Sequence, residues 1–389
     1  MRVDGAQIDP NGTLRGSSSM TPTGYDIRQA QAFGIRIWLA CLTTQELLCT
    51  YLGVRLGLYE RLSSGGPMTV GQLAARAELA PRYIQEWLEQ QAVAGIVTVD
   101  DASRSAEERL YRLPAAHAEV LRMSNSLLSR AASVLPVGGV AQALPALLSA
   151  YRTGAGVSDA QFGEDWRMGH ADGNRAVYAH LLVPWLRRAL PELHSILGSP
   201  GAQAVDMACG AGWAGIALAL AYPTLRVRGV DIDAALVADA RAHAASSGMG
   251  DRMSFVCGDA SAPGSGVGAA SEQGRFDLVC LFDALHELPR PVEMLQACRA
   301  LRSNRGYVLV MDARVQERFV APGDEIERFQ YTTSVLHCLP ACLAEQPSAG
   351  TGTAMRLTTV RKYAHAAGFT SVQIISSEDR FHYFYLLTG

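Results

Sequence analysis

The feature that most constrains this chain is a change of rhythm at residue 203. From there, apolar runs at 203–208, 225–230, 253–257, 276–281 and 307–311 read as strands, and helical runs open near Trp213 and Ala234. Strands alternating with helices build a parallel sheet covered on both faces. The first strand leads through Asp206-Met-Ala-Cys-Gly210-Ala-Gly212-Trp213-Ala-Gly215 straight into a helix, so glycines stand where the backbone turns tightly and a ligand comes close. The second strand ends in Gly229-Val-Asp231-Ile232-Asp233, where a carboxylate can accept both hydroxyls of a ribose. An adenosine-type cofactor is implied, and the glycines alone do not choose between a nicotinamide dinucleotide and S-adenosylmethionine.

The later segments choose. The third strand closes on Phe255-Val-Cys-Gly258-Asp259-Ala260, the fourth on Leu281-Phe282-Asp283-Ala-Leu-His286-Glu-Leu, and the fifth opens at Arg305-Gly306-Tyr-Val-Leu-Val. With these motifs in order, residues 203–312 resemble the class I S-adenosylmethionine-dependent methyltransferases. The resemblance implies an α/β fold, a Rossmann-like seven-stranded sheet with its last strand antiparallel. It also implies roles. Gly210, Gly212 and Trp213 would lie along the methionine part, Asp206 near its ammonium, and the Leu281-Phe282 backbone would meet that ammonium. Asp231 would take the ribose hydroxyls with Ile232 beside it, Asp259 would accept from the adenine amine, and the Ala260 N–H would donate to the ring. A typical loop carries a third glycine where this chain has Ala214. More narrowly, Cys209-Gly-Ala-Gly-Trp213, Ser334-Val-Leu-His-Cys-Leu-Pro340 and Gln346-Pro-Ser-Ala-Gly-Thr-Gly352 look like an actinobacterial group of small-molecule methyltransferases.

Ahead of this domain, Thr69 with Gln72 forms a capping-box pattern, Tyr83, Ile84, Trp87, Leu88 and Ala92 recur at helical spacing, and Ile96–Val99 with Leu110–Leu113 reads as a hairpin. Helix, turn, helix, hairpin is the order of a winged helix. Four segments are therefore expected: a flexible Gly/Ser-rich leader at 1–26, a winged-helix and dimerisation domain at 27–115, a helical linker at 116–198, and the methyltransferase domain at 199–389 with a lid insertion at 313–352. A helix is expected from Gln29 to Leu62. Its Ile37–Val54 stretch is apolar enough for a membrane span, but Thr43-Thr44-Gln45-Glu46 lies at its centre, and a carboxylate at mid-bilayer is costly. It is read as a buried or subunit-contact helix of a homodimer, with no membrane partner.

Charge narrows the partners further. Lys and Arg total 34 against 37 Asp and Glu, a net charge of -3, so no global positive field gathers phosphates. In the helix 81–94, Arg82 faces Glu86 and Glu89. The alternative of a winged-helix transcription regulator that senses the cofactor is therefore set below the enzyme, with a small molecule and no nucleic acid as partner. The eight cysteines form no CxxC pair and the first twenty residues show no secretory pattern, which fits a reducing cytoplasm.

Methyl transfer needs nucleophile, methyl carbon and sulfur in line, and a base if the nucleophile is a hydroxyl or amine. His286 is the expected base, with Asp283, three residues before it, or Glu287 as its orienter. Phe162, Trp166, His170 and Asn174 recur every four residues and are expected to line one face of a substrate pocket, to which His337 and Met355 are also assigned. His337, Cys338 and Cys342 are soft ligands on one stretch, but without a fourth partner they make a poor zinc site, and no metal is expected.

Overall fold

A computed structural model of the 389-residue chain describes residues 25–261, 273–375 and 377–389, together with the backbone pairing of Gln7–Ile8 with Leu14–Arg15. The rest of the expected leader, and residues 262–272 of a Gly/Ser-rich stretch, lie outside the described residues.

Helix α1 (Ile27–Arg55) starts at Asp26, whose carboxylate accepts from the Arg28 N–H at 2.8 Å. It stops before Leu62 because Gly57 takes a left-handed φ of 63°, which starts the separate helix α2 (Leu58–Gly65). Helix α3 (Val70–Ala77) carries the Thr69/Gln72 capping box, and α4 (Pro81–Val93) opens on proline. The hairpin Thr98–Val99 with Tyr111–Arg112 completes the winged helix. Its core gathers Tyr59, Leu73, Leu88 and Tyr111, and Trp87 donates from Nε1 to the Cys49 carbonyl at 2.9 Å, tying α4 to the last turns of α1. Most of α1 remains outside that core in the single chain: Phe33, Ile35 and Trp38 are exposed. Burial of this helix under the winged helix is thus limited to its C-terminal end, at Thr50, Gly53 and Val54.

Helices α5 (Ala131–Thr153) and α6 (Asp159–Gly173) pack against each other and carry the chain to the sheet, with α6 kinked at Gly163. The sheet strands are β1 (Gln203–Met207), β2 (Arg226–Asp231), β3 (Met253–Cys257), β4 (Phe276–Phe282), β5 (Arg302–Ala313), β6 (Ser371–Ile375) and β7 (His382–Thr388). They lie in the order β6-β7-β5-β4-β1-β2-β3, and β7 runs antiparallel to both its neighbours. Leu218, Leu278 and Leu309 belong to the core on one face, and Leu281, Leu295 and Val310 to the core on the other. Strand order reverses beside β1, so the carboxyl ends of β1, β2 and β4 open onto a crevice, the usual ligand position in such sheets. Between β5 and β6 the chain is irregular at 314–324 and 343–356 but helical between them. It forms a helix at Glu325–Thr333, a wider π turn at Ser334–Cys338 and a short helix at Leu339–Cys342.

Candidate active site

The crevice is a cavity of about 810 Å³. One end is built by the β1 loop. Ala208, Gly210 and Gly212 all adopt positive φ, at 54°, 51° and 81°, which turns the chain from β1 into the helix Trp213–Ala221. A Cβ on Gly210 would meet nothing within 4 Å, whereas one on Gly212 would come within 3.0 Å of Ala240 Cβ. Gly210 therefore leaves open room on the cavity wall, and Gly212 serves close packing. Asp231, at the end of β2, accepts from the Gly210 N–H at 2.8 Å and the Asp233 N–H at 2.9 Å, so it holds the loop while each oxygen keeps a further lone pair. Burial raises its carboxyl above the ordinary value. Ile232 lines the cavity with 65 % of its surface exposed, an apolar face suited to a flat ring.

Asp259 also lines the cavity, but both its oxygens are engaged. Oδ1 accepts from the Ser261 N–H and hydroxyl, and Oδ2 pairs with Arg290, which reaches on to Glu345. Ala260 and Phe282 share the wall, while Asp206, Gly212 and Leu281 stand behind it. Burial lifts Asp206 to about 7. Trp213 donates from Nε1 to Asp172 at 2.7 Å and is sandwiched by His243, 4.1 Å away, and the Arg175 guanidinium, 4.0 Å away. An open cradle at Gly210, the Asp231 carboxylate at the end of β2 and an apolar neighbour form a set that fits S-adenosylmethionine.

The other end of the cavity is lined by Trp166, His170, Asn174, Asp283, Glu287 and His337. Of the expected aromatic face, Phe162 is fully buried and supports Trp166 from a ring distance of 5.3 Å, and Trp166 stacks on His337 at 3.8 Å. Asp283 takes a left-handed φ of 55°, accepts a hydrogen bond from Asn174 on one side and is ion-paired with His382 on the other. Burial would raise its carboxyl, but the charge of His382 outweighs that and holds it well below the ordinary value.

Two more expected residues, like Phe162, lie off the cavity wall. His286 does not reach the cavity. The strained turn at Asp283 sends it inward, 2 % exposed, where its Nδ1 meets Asp312 Oδ1 at 2.8 Å. Burial disfavours its charge, yet Asp312 raises it well above the ordinary histidine value, so it is poorly suited to accept a proton near neutrality. Met355 is likewise no pocket residue: it packs in the core with Leu285, Leu295 and Val360 on the far face of the sheet.

Some contributors carried no signal in the sequence. Arg290, Asp172 and Arg175 lie in no motif, and each acts through a partner 31, 41 or 38 positions away.

Comparison with known proteins agrees with this architecture. Residues 204–306 match a methyltransferase domain family, and residues 44–123 match the Rv2258c-like winged HTH domain. A ubiquinone biosynthesis O-methyltransferase of Cupriavidus pinatubonensis is 29% identical over 118 residues, 30% of this chain and 44% of its own length. The chain thus spans less than half the length of the curated relatives it matches. The structure of human N-acetylserotonin methyltransferase in complex with SAM superposes with a TM-score of 0.66 at 16% identity, covering 95% of this chain and 100% of that one. Mitomycin 7-O-methyltransferase gives 0.64 at 18% identity, covering 93% and 99%. At these identities the likeness is one of fold. The chain carries a methyltransferase domain of the class I fold behind an Rv2258c-like winged-helix domain.

Proposed function

We propose that this chain is an S-adenosylmethionine-dependent methyltransferase acting on a small-molecule acceptor, at oxygen, nitrogen or an activated carbon, in secondary metabolism. The observation that supports this reading is that residues of both expected sets line one cavity. Gly210, Asp231, Ile232 and Ala260 line it for the cofactor, and Trp166, His170 and Asn174 line it for an acceptor. When bound, the cofactor supplies an electrophilic methyl group on sulfur and leaves as S-adenosylhomocysteine. The protein's part is to hold the accepting atom in line with that methyl group and to shield the pair from water. Residues 313–352 act as the lid in this reading, since His337, Ala341, Ala344 and Glu345 lie on the cavity wall.

For a hydroxyl or amine acceptor, proton removal falls to a group on the wall rather than to His286, and His170 is the imidazole we assign to it. His170→Ala should then lower turnover about 10²–10⁴-fold with cofactor affinity retained. An electron-rich carbon acceptor would leave that variant near normal, because attack precedes deprotonation, while Trp166→Ala would still be slow. Calorimetry decides the reading as a whole: S-adenosylmethionine and S-adenosylhomocysteine should bind and NAD should not. Binding of NAD alone would overturn it.

The enzyme reading also includes a cytoplasmic homodimer that binds neither nucleic acid nor membrane. Helices α1 and α5 are both long and apolar enough to cross a membrane. Glu46 near the middle of α1, and the α5–α6 packing, favour protein contacts instead. On α4, Arg82 is paired with Glu86, which removes the charge a phosphate would meet. A band shift with DNA from upstream of the gene would contradict this.

A further inference from the structure

The cofactor end of the cavity holds an arginine to which methyl transfer itself gives no task. Arg290 stands on the cavity wall, just before the helix Pro291–Leu301. Its guanidinium forks three ways: Nε donates to the Ser261 hydroxyl oxygen at 3.3 Å, Nη2 pairs with Asp259 Oδ2, and Nη1 donates to Glu345 Oε1 at 2.6 Å. One planar group thus joins residues that follow β3 to a residue of the insertion. A lysine, with a single compact charge, has no such fork.

The fork decides what Asp259 can still accept. Burial would raise its carboxyl, but the Ser261 bonds and the Arg290 charge outweigh that and hold it below the ordinary value, so it is ionised near neutrality. An ionised carboxylate offers about four acceptor positions. Oδ1 takes the Ser261 N–H at 2.8 Å and the Ser261 hydroxyl at 2.6 Å, and Oδ2 takes Arg290, which leaves one position on Oδ2. Asp259 lines the cavity beside Ala260, so that position suits a single N–H donor of a ligand and rejects a carbonyl oxygen. Glu345, at the other arm, lies between two backbone tethers of the insertion. The Val157 N–H donates to the Pro340 carbonyl at 2.9 Å, and the Ala349 N–H to the Pro289 carbonyl at 2.9 Å. Between them Ala341, Ala344 and Glu345 line the cavity, and residues 344–347 are exposed.

We propose that Arg290 is a positioning residue that couples the adenine end of the cofactor site to the insertion: it fixes Asp259 with one acceptor position left for the adenine amine, and it holds Glu345 on the same cavity wall. The coupling deepens the methyltransferase reading and rests on it. Linkage makes it reciprocal. If Glu345 strengthens cofactor binding through Arg290, bound cofactor must steady residues 341–348 by the same factor. The Arg290–Glu345 pair is partly exposed, so the coupling weakens as salt is added.

Calorimetry with S-adenosylhomocysteine and hydrogen exchange of residues 341–348 test the coupling on the full chain. Glu345→Gln should weaken binding about 3–10-fold and Arg290→Gln about 10–100-fold. In the Arg290→Gln background, Glu345→Gln should change affinity less than about twofold, because its route to the ligand is gone. Arg290→Lys, which keeps the charge and loses the fork, should not restore the effect of Glu345→Gln. The preference for S-adenosylhomocysteine over S-inosylhomocysteine, which carries an oxygen in place of the amine, should shrink in Arg290→Gln. A residue that only supported the fold would lower the melting temperature and leave that preference intact. Ligand should slow exchange at 341–348 in the wild type and not in Arg290→Gln. Should Arg290→Gln fail to fold, Asp259→Asn combined with Glu345→Gln supplies the same cycle, and their effects should be less than additive. Equal effects of Glu345→Gln with and without its partner overturn the coupling, as does bound ligand that leaves exchange at 341–348 unchanged. A wild-type chain that binds no S-adenosylhomocysteine overturns the methyltransferase reading and this inference with it, whereas binding without the cycle overturns this inference alone.

Discussion

Asn174 donates from Nδ2 to Asp283 Oδ2 at 2.7 Å, joining the end of the helical arm to the exit of β4. The bond holds a non-glycine residue at positive φ, a conformation that costs about 1–3 kcal/mol and survives only where its surroundings enforce it. Asn174→Ala should lower stability by about 1–2 kcal/mol and raise KM for the acceptor more than it weakens cofactor binding. Thermal melts with steady-state kinetics check this, and unchanged values in both would show that the turn is held by other contacts.

His382 meets the same carboxylate from the other side. Its Nε2 is 3.6 Å from Asp283 and its Nδ1 is 3.0 Å from Asp379. Burial pulls the imidazole down, but the two carboxylates outweigh it and raise it to about 10. A raised histidine contributes stability that is complete below its unfolded value near 6.5 and is lost as pH climbs through about 10. The melting temperature should therefore fall between pH 7 and 10, and His382→Gln should be less stable at pH 6 and show a flatter slope. A slope identical to the wild type would refute the assignment.

Asp231 holds the glycine loop and lines the cavity at once, where the proposed cofactor's ribose would meet it. Asp231→Ala should weaken S-adenosylmethionine binding by about 1–3 kcal/mol, since a charge-assisted acceptor is lost. Calorimetry measures it directly, and full affinity in the variant would remove Asp231 from the site.

Helix α1 predicts assembly. Phe33 (59 %), Ile35 (61 %) and Trp38 (66 %) are exposed along one helix in the single chain, an apolar surface that water disfavours. The chain should sediment as a dimer at micromolar concentration, and Trp38→Glu with Phe33→Glu should yield a folded monomer. A wild-type monomer at that concentration would exclude the dimer.

The sequence by itself determined the order of strands and helices, the glycine loop, the Asp231 carboxylate and the winged helix, because each is local. Period, glycine placement and capping act within one turn or one strand. Only the tertiary structure decided which side chains meet. Asn174 pairs with a residue 109 positions away, His337 with one 178 positions away, and Asp259 with Arg290 across 31. The four-residue spacing from Phe162 to Asn174 was visible, yet which members face the cavity depends on the kink at Gly163 and on the packing of α6. His286 shows the limit most clearly. Its place after β4 suggested a base, but a left-handed turn at Asp283 and a carboxylate on β5 carry it into the interior, and no local pattern encodes either. Contacts across strands follow from sheet order and helix packing, which are properties of the whole chain and not of any segment.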